Sequence, residues 1–271
     1  MTTQHTERPP AGVRPRALVT GASSGIGAAF ARALAARGQD LVLVARGTAK
    51  LEALATELTA QHGVKVDVIA ADLSRTETVD AVVAELAARE ITIGTLINNA
   101  GFGTHGALAE LDAAREHDEV LVNVYSLVAL TRALLPAMIA RRSGGIINVA
   151  STAAFQPVPY MATYGATKAF VLSFGQALAE EVREHGVHVV VLCPGQTETA
   201  FFDQIEESRI GRARTADQVV ATGLRALERG QTVVIDGFLN AALANSVRFG
   251  PRPLVARVAA RMQRPSWLRR P

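Results

Sequence analysis

Residues 16–37 limit what this chain can fold into more than any other stretch. Arg16-Ala-Leu-Val-Thr20 is an apolar run of strand length, and a run from about Ala28 to Arg37 has helical spacing. Between them lies Gly21-Ala-Ser-Ser-Gly25-Ile-Gly27, a turn rich in glycine. Strand, glycine turn and helix in that order open a βαβ unit of the kind that cradles a dinucleotide. Gly21 permits the tight turn, Gly25 lets backbone amides approach a pyrophosphate, and Gly27 lets helix and strand pack closely. The positive end of the helix faces the anion, and Ser23, Ser24 and Ile26 belong to the same binding turn.

The remainder of the chain repeats this rhythm. Strands are expected at Asp40–Arg46, Val64–Ala70, Thr95–Asn98, 146–150, Val187–Leu192 and Gln231–Ile235. Helices are expected from Ala49 to about His62, about Glu77 to Arg89, about Arg115 to Arg141, and through Tyr164 to about His185. Thr215 caps a last helix that reaches about Arg229. This alternation, with no internal repeat or composition break, predicts an α/β fold. The expected form is a Rossmann-like doubly wound parallel sheet of about seven strands with helices on both faces. Ligands bind outside the carboxyl ends of such strands, and every motif below lies there or on the helix that follows. The expected organisation is a disordered segment 1–15, a nucleotide-binding domain 16–236 with a lid at about 196–215, and a basic extension 237–271. In the lid, Phe201, Phe202 and Ile205 would close an apolar pocket or pack on the body.

Composition removes several alternatives. With 49% hydrophobic and 20% charged residues the chain can bury a core and is not a disordered protein. A single cysteine, Cys193, excludes a disulfide framework and a cysteine zinc site, and the histidines show no ligand spacing, so no metal is expected. Residues 248–271 carry seven arginines and no acid; subtracting these from the formal +3 leaves −4 on residues 1–247. The body is therefore not a nucleic-acid binder. The first fifteen residues lack the apolar segment of a signal peptide, and no 18 consecutive apolar residues occur, so the expectation is a cytoplasmic protein without a transmembrane segment.

The chemistry is carried by Tyr164 and Lys168, four residues apart and therefore on one helix face. An ammonium beside a phenol stabilises the phenolate and brings a proton donor and acceptor towards working pH, as acid–base chemistry on an alcohol or ketone requires. Ser151, at the end of the strand 146–150, supplies a hydroxyl from the other side. Asn123, among Val120, Leu121, Val122 and Val124, is either a satisfied core amide or a backbone kink that holds a water in a proton relay. The second strand ends in Ala45-Arg46 with no carboxylate for a ribose 2′-hydroxyl, so Arg46 is either a solvated arginine or the partner of a 2′-phosphate. The second reading makes the cofactor NADP(H). Asp72-Leu73 ends the third strand where an acid can meet the adenine ring, and Asn98-Asn99-Ala100-Gly101 forms a polar turn beside the glycine loop. Pro194-Gly195-Gln-Thr197-Glu-Thr199 breaks the chain after the sixth strand.

Together, Thr20-Gly-Ala-Ser-Ser-Gly-Ile-Gly27, Asp72-Leu73, Asn98–Gly101, Asn123, Ser151, Tyr164-x-x-x-Lys168 and Pro194-Gly195 resemble the short-chain dehydrogenase/reductase family in its short single-domain branch. The resemblance covers about residues 16–236. It implies an NADP(H)-dependent oxidoreductase that moves hydride between nicotinamide and a small carbonyl or secondary alcohol (a ketone, 3-oxoacyl or ketosteroid-like compound). Tyr164 would donate or accept the proton, Ser151 would bind the substrate oxygen, and Lys168 would tune the tyrosine and hold the nicotinamide ribose. Asn123 would keep the water relay. Asn99, Ala100 and Gly101 would flank the cofactor, and Thr197 and Thr199 would meet its nicotinamide end. The family also implies a homodimer or homotetramer through the helices 115–141 and 162–185.

The rival from another class is a non-catalytic NADP(H)-binding sensor or scaffold. In the tail, Leu254, Val258 and Met262 form one apolar stripe between Pro253 and Pro265, amid Arg252, Arg257, Arg261, Arg264, Arg269 and Arg270. A helix this short must dock on something. The expectation is docking on the protein's own body, against the lid or across a subunit interface, and the alternative is peripheral contact with anionic lipid.

Overall fold

The structure, a computed structural model, describes residues 14–199 and 213–264. Phe201, Phe202 and Ile205, the segment beyond Arg264, and all but two residues of the expected disordered start lie outside the described residues. Of those two, Pro15 is placed: its carbonyl accepts from Gln39 Nε2 at 3.0 Å.

Seven strands form one parallel sheet in the order β3-β2-β1-β4-β5-β6-β7: Arg16–Thr20, Leu41–Ala45, Val66–Ala70, Ile93–Asn98, Gly144–Val149, Val187–Cys193 and Val233–Ile235 for β1 to β7. The order reverses between β1 and β4, which is where a doubly wound sheet opens a crevice. β2 is buried along its whole length, as a strand covered on both faces must be. Side chains alternate across the sheet. Ala17, Val19, Leu41 and Leu43 face α1 (Gly25–Ala35), α2 (Thr48–His62) and α7 (Ala216–Glu228). Leu18, Val42 and Val44 face α3 (Thr76–Ala88), α5 (Ser126–Arg141) and α6 (Ala162–Val182). Cys193 is buried in the sheet, and burial pushes its thiol up to about 12, so it behaves as a small apolar residue.

Several elements depart from their expected bounds. The first helix starts at Gly25, one turn earlier than the apolar spacing suggests, because the glycine turn itself is its first turn. Thr215 does cap α7, in a full capping box with Gln218. The helix expected over 115–141 is three pieces: α4 (Ala113–Val120), a π turn at Leu121–Tyr125 and α5. By length and hydropathy alone the run Ala113–Arg141 would suffice to cross a membrane, although it contains no unbroken apolar run of 18. Here it packs against β4, β5, α3 and α6 as part of one helical layer.

Beyond β7 the chain forms α8 (Phe238–Ser246) and α9 (Arg252–Gln263). The expectation for the tail is corrected in its orientation. α9 turns the small side chain of Ala259 inward and leaves Leu254, Val258 and Met262 exposed, so among the described residues the stripe is not its buried face.

Candidate active site

The crevice at the carboxyl ends of the strands is a continuous cavity of about 890 Å³. Its first wall is the turn from Gly21 to Gly27. Gly21 adopts φ +65°, and a Cβ on it would lie 2.8 Å from Asn99 Nδ2. A Cβ on Gly27 would lie 2.3 Å from the Gly21 carbonyl oxygen, so this residue sets the approach of helix to turn and does not itself line the cavity. Ser24 occupies the N-cap of α1 without a side-chain capping bond, and the first turn holds no acid. The unpaired amides and positive helix end are thus left for an anionic group, with Ser23, Ser24, Gly25 and Ile26 lining the space in front of them.

The polar turn after β4 locks onto this loop. Asn99 Nδ2 donates to the Thr20 carbonyl at 2.9 Å, while Thr20 Oγ1 accepts from the backbone N–H of Asn99 at 3.0 Å and of Ala100 at 2.9 Å. Ala100 and Gly101 line the cavity beside them. At the opposite end lie Arg46, Asp72 and Leu73, together with Lys50, which the sequence reading overlooked. Arg46 follows β2 and Lys50 lies in the first turn of α2, and a second cation so soon after Arg46 was the available signal. Burial acts against the Asp72 carboxylate, yet bonds from the Ser74 amide and hydroxyl and the charges of Arg46 and Arg75 hold it below the ordinary range. Its charge is already satisfied, so Arg46 and Lys50 leave this end cationic.

The inner end gathers Ser151, Tyr164 and Lys168, with Pro194, Gly195, Thr197 and Thr199 along the same wall. Lys168 is buried and donates from Nζ to the Val149 carbonyl at 2.9 Å, 5.7 Å from the centre of the Tyr164 ring. Burial lowers its ammonium to about 8, against the opposing attraction of Glu119. Ser151 lies two residues beyond β5 and accepts the Ala153 amide at 3.1 Å, which orients its Oγ at the start of the following turn.

Asn123 sits behind this wall and does not line the cavity. Its side chain is a satisfied core amide: Nδ2 donates to the Phe102 carbonyl at 2.9 Å and to Thr167 Oγ1 at 3.0 Å, and Oδ1 accepts the Phe102 amide at 3.1 Å. The kink is present as well, since Asn123 is the middle residue of the π turn. The two readings of Asn123 are therefore compatible.

Two further features were not anticipated. Glu119, one turn before Asn123, is fully buried and accepts both the amide and the hydroxyl of Thr104 at 2.9 Å. Burial raises its carboxyl to about 7, aided by Glu116 and opposed by the Thr104 bonds and Lys168. Glu116 itself is bridged by the hydroxyls of Thr104 and Thr163. Second, the ends of the 196–215 segment are clamped. Thr197 pairs with Arg214, whose guanidinium donates two bonds, at 2.7 and 3.0 Å, to the buried Asp236.

This geometry meets known proteins at one point. A family model described as short chain dehydrogenase matches residues 15–210. The chain belongs to the short-chain dehydrogenase/reductase family. This family consists of oxidoreductases of keto and hydroxyl groups that bind a nicotinamide cofactor. The chain is 37% identical over 178 residues to a very-long-chain 3-oxoacyl-CoA reductase of Phaeosphaeria nodorum, covering 64% of this chain and 52% of that protein. It is 36% identical over 210 residues to human 17-beta-hydroxysteroid dehydrogenase type 3, covering 77% and 66%. It thus spans about half to two-thirds of these relatives' lengths. Among solved structures, a short-chain dehydrogenase from Sphingobium yanoikuyae in complex with NADPH matches with a TM-score of 0.80 and 36% identity, covering 89% of this chain and 95% of that one.

Proposed function

We propose that this short-chain dehydrogenase/reductase is an NADP(H)-dependent reductase of ketones of the 3-oxoacyl or ketosteroid-like class, working reversibly on the corresponding secondary alcohols. The observation that carries the proposal is one cavity with cations at one end, Arg46 and Lys50, and Ser151, Tyr164 and Lys168 at the other. A guanidinium and an ammonium, with Asp72 already bonded to Ser74, suit a 2′-phosphate better than a free ribose hydroxyl. The names of the relatives and the NADPH in the Sphingobium structure point the same way.

The residues fit the cofactor, since the glycine turn has no room for a Cβ at Gly27 and the α1 amides are uncapped. A nicotinamide cofactor held by the glycine turn and Lys168 would supply the hydride for the carbonyl carbon. Ser151 donates a hydrogen bond to the carbonyl oxygen, and Tyr164 delivers the proton that completes the hydroxyl. Lys168, held at Val149, keeps a positive charge beside the Tyr164 ring and so favours proton release from the phenol. The π turn at Asn123 would hold a water that returns a proton to Lys168, in keeping with the role of such turns at functional sites. Val120, Tyr125 and Phe170, exposed on the same helical layer, support a homodimer or homotetramer through that face.

The test is steady-state oxidation of NADPH and of NADH with a panel of 3-oxoacyl thioesters, ketosteroids and simple ketones. Turnover with NADPH and at least one panel member is expected. Tight NADPH binding without turnover on any member would identify a sensor or scaffold instead.

A further inference from the structure

The C-terminal helices present a surface that the catalytic reading does not use. α8 leaves Phe238, Leu239 and Leu243 exposed, Phe249 follows in the link, and α9 leaves Leu254 and Val258 exposed. Phe238 is 91% and Phe249 86% accessible, and several exposed apolar side chains gathered in one region mark an interaction site where single ones would not. Most of the exposed large apolar residues among the described residues lie in this one region.

Charge decides what covers it. Residues 248–271 hold seven arginines and no acid. At about 100° per residue, Arg257 and Arg261 fall beside Leu254 and Val258, on the flank away from the inward Ala259. An apolar stripe edged by arginines, with the opposite side of the helix anchored to a folded body, suits an interface between hydrocarbon and anionic headgroups. A second copy suits it poorly. A two-fold dimer through this face would set the arginines of one protomer against those of the other, with no acid in the tail to pair them.

We infer that α8, the Phe249 link and α9 form a docking surface for anionic lipid bilayers. Phe238, Phe249, Leu254 and Val258 enter the headgroup–acyl boundary, and Arg257 and Arg261 pair with lipid phosphates. The surface adjoins the substrate side of the site: α8 packs on the turn Thr152–Phe155 that follows Ser151, and the Gln263 carbonyl at the end of α9 lies 3.1 Å from His105 Nε2 in the loop after β4.

The experiment is co-sedimentation of the full chain with vesicles of phosphatidylcholine alone and of phosphatidylcholine mixed with phosphatidylglycerol, at low and high salt. Cofactor-free melting of each variant checks the fold, so the result does not depend on the catalytic proposal. Binding to the mixed vesicles at low salt is expected, weakened by salt and absent with phosphatidylcholine alone. Replacing Arg257 and Arg261 together by Gln should weaken it by roughly 30-fold, at about 1 kcal/mol for each arginine. Phe249→Ser with Leu254→Ser should weaken it at both salts. Absence of sedimentation with mixed vesicles at low salt overturns the inference. So does a concentration-dependent dimer that Phe249→Ser dissociates and that excludes vesicles.

Discussion

Lys168 donates to the carbonyl oxygen of Val149 at 2.9 Å, which fixes its ammonium 5.7 Å from the centre of the Tyr164 ring. The tether ties the end of β5, which also presents Ser151, to the helix face that presents Tyr164. The three chemical groups are thus held by one buried hydrogen bond rather than by the helix alone. Because burial sets the lysine at about 8, its charge is present below that pH and lost above it.

Carbonyl reduction should therefore be flat in kcat from about pH 6 to 7.5 and fall with an apparent pKa near 8 as Lys168 loses its proton. A pH–kcat profile with NADPH checks this. Lys168→Arg, which stays charged, should extend the plateau upward while lowering its height; an unmoved alkaline limb in that variant would separate the limb from Lys168.

Glu119 tests the second shell of this arrangement. Its carboxyl is raised to about 7, above its unfolded value of 4.5, so the folded state holds the proton more tightly and loses stability as pH rises between those values. Glu119→Gln keeps the hydrogen-bonding shape without the charge. Its Tm relative to wild type should rise from pH 5 to about 7 and level off above that. The attraction it exerts on Lys168 is also lost, so the alkaline limb of kcat should move to lower pH. A purely structural role would change stability without moving that limb.

Arg46 should govern the choice of cofactor. Arg46→Asp places a carboxylate where a 2′-phosphate would sit, and the NADPH-to-NADH affinity ratio should fall by about 100-fold or more. Lys50→Ala should lower it less. Titration of both cofactors against wild type and variants decides the point, and equal affinities in the wild type would contradict the assignment.

Arg214 should matter more for stability than its place between β6 and α7, outside both, suggests. Its loss leaves Asp236 buried with only Thr222 Oγ1, at 2.7 Å, as a side-chain donor. Arg214→Ala should cost about 3–5 kcal/mol in urea unfolding, the range for stranding one partner of a buried pair. Arg214→Lys, charged but without the planar fork, should fall between.

What the sequence made legible follows from the range of the interactions involved. β1, the glycine turn and α1 are local, and their residues predict both the fold and the turn that Asn99 closes. The inner strands β1, β2, β5 and β6 were legible because they are mostly apolar and covered on both sides, whereas the edge strands β3 and β7 are only partly buried. The Arg214–Asp236 clamp and the Glu119–Thr104 bonds were not, since each joins residues whose separate contexts look ordinary. Asn123 was marked by an amide among valines, but the backbone slip into a π turn leaves no compositional trace. For α9 the apolar stripe was read correctly and its direction was not. Close docking against a body selects the small Ala259, and the larger residues are left to project outward.

The central claim is that the Tyr164 hydroxyl is the proton donor to a carbonyl oxygen. Tyr164→Phe removes that oxygen alone, so kcat for the best ketone should fall by about 10²–10⁴-fold while the NADPH dissociation constant stays within about twofold. Retention of kcat within about threefold of wild type would contradict the account and require another donor in the cavity.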